Sequence, residues 1–134
     1  MKLELKHIVG YLPYDLEMIF ESKGGRKIKL SSISKTPLGI AFSGGSGGMW
    51  LAESNFKPIL RPLSNLTKEI EFNGEKFVPI KKLGYNENWV GLKSHFENAE
   101  YLPYKDIQKL YEWHFDVHGL IEKGLAIDIN NLEP

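Results

Sequence analysis

No cysteine occurs in the 134 residues, which excludes a disulfide framework, a thiolate metal site and a cysteine nucleophile, and fits a reducing compartment. Net charge is absent as well. Seventeen basic residues offset seventeen acidic ones, so no overall field draws the chain to nucleic acid or anionic lipid, and only a local patch could do so. No window approaches the roughly 18 apolar residues of a membrane span, and the opening MKLELKHIVGYLPYDLEMIF has no continuous apolar signal core. The expectation is a soluble cytoplasmic protein with no membrane partner. No serine sits in a G-x-S-x-G elbow and no complete metal or nucleotide motif is present. These absences assign no catalytic residue, no metal and no cofactor.

The chain does contain many short patterned segments. With 42% hydrophobic residues it suits one α+β domain over 1–134, with a β-rich part over 1–60 and a hairpin-plus-helix part over 61–134. Leu3, Leu5, Ile8 and Val9 suggest a short helix or extended arm that Pro13 ends. Leu16, Met18 and Phe20 alternate with polar residues, and after a Lys-Gly-Gly-Arg turn Ile28 and Leu30 alternate with Lys27 and Lys29. Period-two alternation across a short connection predicts an antiparallel pair. Leu38, Ile40 and Phe42 predict a third strand and residues 49–52 a fourth. Together these imply a curved antiparallel sheet or a small, partly open barrel. Residues 57–62, KPILRP, carry two prolines and read as an extended connector, because proline lacks a ladder donor. Ser64 is placed to cap a single helical turn.

The clearest local signal is Ile70 to Val78, IEFNGEKFV, in which Asn73-Gly74 is the preferred pair for a type I′ hairpin. A two-residue loop sets Phe72 opposite Glu75, Glu71 opposite Lys76 and Ile70 opposite Phe77. Residues 83–100 have no sustained period, and Trp89, Val90, Leu92 and Phe96 suit a strand or an irregular loop under the core. Pro103 opens a predicted long helix to about His118, with Tyr104, Ile107, Leu110, Tyr111 and His114 on one face and Lys105, Lys109, Glu112 and Asp116 on the other. Gly119 would end it, and Leu125, Ile127 and Ile129 would form a short final strand. The tetrapeptide Tyr-Leu-Pro-Tyr occurs at 11–14 and again at 101–104, without the further similarity a structural repeat needs.

Three groups invite a chemical reading. His114 and His118 stand at the i, i+4 spacing of helical metal sites, yet Phe115 occupies the motif position of the glutamate and a third ligand would have to come from His95 or Asp128. Both histidines also fall in the apolar stripe, where a neutral, hydrogen-bonded core histidine is expected instead. The run SGGSGG at 43–48 lacks the lysine and following helix of a phosphate loop and reads as a hairpin loop. Lys23, Arg26, Lys27, Lys29 and Lys35 concentrate positive charge on the second strand, a candidate phosphate-contacting face. Glu17 and Glu21 on the neighbouring strand would offset that field, and no aromatic pair for base stacking lies among the lysines.

The segments LKHIVGYLPY at 5–14, KPILRPL at 57–63, LTKEI at 66–70, WHFD at 113–116 and GLIEKGLAID at 119–128 resemble a family of uncharacterised small proteins encoded by phages, prophages and other mobile elements of anaerobic gut bacteria. The resemblance extends over most of 57–83 and 107–132 and does not reach 22–56 or 84–100. It implies no activity, so it carries over no catalytic residue. Members similar to this chain tend to have phenylalanine in place of His118, which favours the core reading of that residue. The resulting expectation is a non-enzymatic accessory or interaction protein of a mobile element with a protein partner. Nucleic-acid binding through the basic strand at 23–35 is the alternative, and a metal-dependent hydrolase stands last.

Overall fold

The computed structural model describes residues 5–20, 26–36, 39–44, 49–51, 56–86, 88, 90–97 and 101–131. Lys23, Glu21, Leu38, Trp89 and residues 45–48 of the glycine-rich loop lie outside them. The architecture is α+β. A short helix α1 (Leu5–Ile8) continues into a 3₁₀ turn, Val9–Tyr14, and strands β1 (Glu17–Phe20), β2 (Arg26–Thr36), β3 (Gly39–Gly44), β4 (Met49–Leu51) and β5 (Phe56–Leu60) follow. A 3₁₀ turn, Leu63–Thr67, leads to the hairpin β6 (Ile70–Phe72) and β7 (Glu75–Phe77). Helices α2 (Pro79–Lys82), α3 (Leu92–Glu97) and α4 (Tyr104–Glu112) precede the last strand β8 (Ile127–Asp128). No helix among the described residues is long and apolar enough to cross a membrane.

Alternation in the sequence becomes alternation in burial. Leu16, Met18, Ile28 and Leu30 are buried while Lys27 and Lys29 are exposed, and β1 pairs antiparallel with β2 with Glu17 facing Lys29 and Ile19 facing Lys27. Each such side chain taken from water contributes about 2 kcal/mol. The six-stranded sheet runs β4-β3-β2-β1-β5-β8. It is mixed, because β8 lies parallel to β5 with Ile59 opposite Ile127, and open, because the strand order closes no barrel among the described residues. The N-terminal strands pair antiparallel as expected, and the barrel is corrected; the parallel contact comes from β8, which returns to the β5 edge after α4 in the same direction as β5, as a hairpin connection cannot.

The proline-bearing connector also needs correction, since β5 is an interior strand between β1 and β8. Pro58 is opposite Met18, and β8 pairs only from Ile59 onward. The donor that Pro58 lacks is therefore not required on the β8 side. Pro62 falls past the strand and precedes the 3₁₀ turn, so Ser64 lies inside that turn rather than capping it. The Asn-Gly hairpin has the expected register at all three pairs, with Asn73 and Gly74 at φ 51 and 81, both left-handed as a type I′ turn requires. Residues 92–97 form a helix rather than a strand, and Phe96 is buried beneath it.

Two apolar clusters fill the interior. One joins Ile8, Tyr11, Leu16, Met18, Ile28, Leu30, Leu60, Leu120 and Ala126 beneath the sheet. The other joins Leu66, Ile70, Ile80, Phe96, Leu102, Leu110, Trp113, Phe115 and Val117 beneath the hairpin and α4. Tyr111 packs against both. Its ring meets Tyr11 edge-on at 4.7 Å and covers Gly10, where a Cβ would overlap the ring carbons.

Candidate functional site

The site is built on how α4 ends. Pro103 precedes the first helical residue, and its carbonyl accepts from the N–H groups of Asp106 and Ile107. The helix predicted to reach His118 stops at Glu112. Phe115 N–H donates back to the Leu110 carbonyl at 2.8 Å and His114 N–H to the Tyr111 carbonyl at 3.0 Å, while His114 takes φ 62. This is a Schellman closure with histidine where glycine is usual, completed by the buried pair Leu110 and Phe115 in one apolar cluster. The chain beyond runs alongside Arg61. Arg61 N–H donates to His114 and its carbonyl accepts from Asp116 N–H, while its side chain donates to the carbonyls of Trp113 and Glu71, both at 3.1 Å. Burial lowers the Arg61 pKa, and its hydrogen bonds tie the helix end to the hairpin.

With the helix ended, His114 and His118 do not share a helical face. His114 Nε2–H donates to the Tyr14 carbonyl at 2.7 Å, and its ring meets Phe72 edge-on at 5.8 Å. Burial holds its pKa below the ordinary value, helped by the charge of Arg61, against the opposing pull of the Tyr14 hydrogen bond, Glu17 and Asp15. His118 instead meets the Tyr111 hydroxyl at 3.1 Å and the ring of His7 at 5.8 Å. No group of three or more histidine, aspartate or glutamate side chains disposed to hold a metal ion occurs among the described residues.

His114 thereby fixes Tyr14 and Phe72 on one side of a cleft of about 400 Å³. Its lining comes from four stretches of chain: Pro13, Tyr14 and Asp15; Phe72, Asn73 and Glu75 of the hairpin; Lys82 of α2; and Lys109, Glu112 and Trp113 at the end of α4. Tyr14 and Phe72 are half-buried there, and Trp113 is buried behind them. Around them Lys82 pairs with Glu75 and Lys109 with Glu112 at 3.2 Å. Lys82 also lies over Phe77 at 4.4 Å and Lys109 over Trp113 at 5.9 Å. Such a mixture of aromatic lining and fixed charge suits recognition of an amphipathic group.

The basic strand is interrupted. Lys27 and Lys29 are exposed on one face of β2, but Glu17 lies directly opposite Lys29. Lys57 on β5 faces Ile19, which also faces Lys27, so the same face carries a lysine the sequence pattern missed. Lys23 lies outside the described residues, as do the side chains of Arg26 and Lys35.

Two buried carboxylates escaped the helical wheel, which put Asp116 on the polar face and left Asp106 unassigned. Asp106 is 2% exposed and accepts from the Tyr85 hydroxyl at 2.5 Å, and Tyr85 in turn meets His95 Nε2 at 3.4 Å. The hydrogen bond to Asp106 pushes the Tyr85 pKa up to about 12. Asp116 is buried, not on a polar helix face, and accepts from Leu120 N–H at 2.7 Å and Ile121 N–H at 3.0 Å. Tyr104, assigned to the apolar stripe, is 75% exposed. Comparison with known protein families, curated proteins and solved structures returns no match.

Proposed function

We propose that the protein is a non-enzymatic accessory or interaction protein that engages a protein partner through the cleft between the Val9–Tyr14 turn, the hairpin and α4. The observation that carries this is the convergence of half-buried Tyr14 and Phe72, from separate stretches of chain, in one open cleft framed by ion pairs and backed by the buried Trp113. Aromatic side chains supply large contact area at small entropic cost, which is why they recur at the centres of protein interfaces. His114 braces the cleft wall through its bond to the Tyr14 carbonyl and its contact with Phe72. The setting in a phage or other mobile element rests on the sequence resemblance alone.

A photoreactive benzoylphenylalanine at Glu75, on the cleft rim, tests the proposal, with the same group at exposed Gln108 as control. The expected outcome is one discrete protein adduct from position 75 and none from position 108. Identical adducts from both positions, or reproducible turnover in a hydrolase and nuclease screen, refute it. The second proposal, nucleic-acid binding, is supported by Lys27 and Lys57 flanking Ile19 on the outward sheet face. It predicts a salt-dependent gel shift with DNA or RNA that Lys27→Gln with Lys29→Gln abolishes. No shift at low salt ends it.

A further inference from the structure

The charges around the cleft point to the chemistry of its occupant, an inference that rests on the interaction proposal above. Three carboxylates, Asp15, Glu75 and Glu112, share the lining with two lysines. Each lysine already has its carboxylate, Lys82 with Glu75 and Lys109 with Glu112. Asp15 is left with no ion pair among the described residues. It is exposed, lines the cleft, and sits at φ 54 immediately after the Val9–Tyr14 turn. His114 behind the wall favours its neutral form, and Arg61 does not line the cleft, its guanidinium donating to backbone carbonyls.

An incoming anion would have to separate Lys82 from Glu75 or Lys109 from Glu112. An incoming cation breaks neither pair, finds Asp15 available, and meets the half-buried side chains of Tyr14 and Phe72. Lys109, over Trp113, already illustrates the attraction of that ring for positive charge. We propose that the cleft receives a basic side chain of the protein partner, arginine before lysine, its guanidinium plane against the aromatic lining and its charge on Asp15. The planar, delocalised guanidinium suits stacking and two-point bonding to a carboxylate, whereas an ammonium offers only a point charge.

The probe is N-acetyl-arginine methylamide, titrated at low salt into the isotopically labelled full chain while the backbone amides of Asp15, Asn73 and Glu75 are followed. Saturable shifts confined to those amides are expected, with N-acetyl-glutamate methylamide giving none. Asp15→Asn tolerates the same left-handed backbone and should weaken binding roughly threefold, the size of one partly exposed charge interaction, with the rest of the spectrum unchanged. Absence of saturable shifts, equal binding of the glutamate probe, or an affinity indifferent to Asp15→Asn overturns the proposal. A protein adduct from position 75 alongside any of those results would leave an interaction site whose partner is not basic.

Discussion

Replacing His114 by alanine and by glycine separates two structures of the same sequence by the sign of one difference. If a helix continued to His118, position 114 would be interior, and glycine would be about 1 kcal/mol less stable than alanine. At φ 62 the order reverses, because a side chain with a Cβ costs about 1–2 kcal/mol there relative to glycine. His114→Ala loses the Nε2–H bond to the Tyr14 carbonyl, about 1 kcal/mol, and the edge-on contact with Phe72, about 1 kcal/mol, while keeping the backbone strain. His114→Gly loses the same contacts and sheds that strain. The alanine variant should be destabilised by about 2 kcal/mol and the glycine variant by about 0–1 kcal/mol. Urea denaturation with an unchanged m-value measures both. An alanine variant more stable than the glycine variant would refute the Schellman closure and the cleft geometry that depends on it.

Four further outcomes follow from other contacts. Gly10→Ala drives a methyl group into the Tyr111 ring and should lower stability by about 1–3 kcal/mol in thermal melts; a neutral result would mean that Tyr111 yields freely. Because burial holds the His114 pKa below its ordinary value, the unfolded chain binds that proton first as pH falls. Stability should therefore decline as pH drops below about 6.5, and His114→Asn should flatten that limb of the profile, an unchanged slope counting against the assignment. Tyr85→Phe withdraws a donor from buried Asp106, costing about 1–3 kcal/mol, and the loss should shrink when Asp106 is already leucine. Asp116→Ala frees two backbone N–H groups and should cost about 3 kcal/mol, measured by the same denaturation.

What the sequence makes legible is what neighbouring residues decide. The Asn73-Gly74 hairpin and the pairing of β1 with β2 follow from turn chemistry and period-two burial; the hairpin has the expected register and the β1–β2 pair the expected antiparallel sense. The end of α4 was hidden because its left-handed residue is a histidine, while Gly119, also left-handed at φ 69, offers a plausible stop further on. Asp106 and Asp116 look like solvent-facing positions until their partners, Tyr85 hydroxyl and the Leu120 and Ile121 N–H groups, are placed. The interior position of β5 depends on β8, which arrives from far along the chain. The cleft was illegible for the same reason, since it gathers residues 13–15, 72–75, 82 and 109–113.

Tyr11 gives this topology a consequence in time. Its hydroxyl donates to the Phe115 carbonyl and accepts from Val117 N–H, across sequence separations of 104 and 106 residues. On a translating ribosome, Tyr11 is synthesised roughly 5–20 s before those partners. Through that interval the first core also lacks Leu120 and Ala126. The amino-terminal half must wait on the ribosome with Ile8, Tyr11 and Leu16 incompletely covered, so its capture by a chaperone, or by another nascent copy, is decided before the last strand is made.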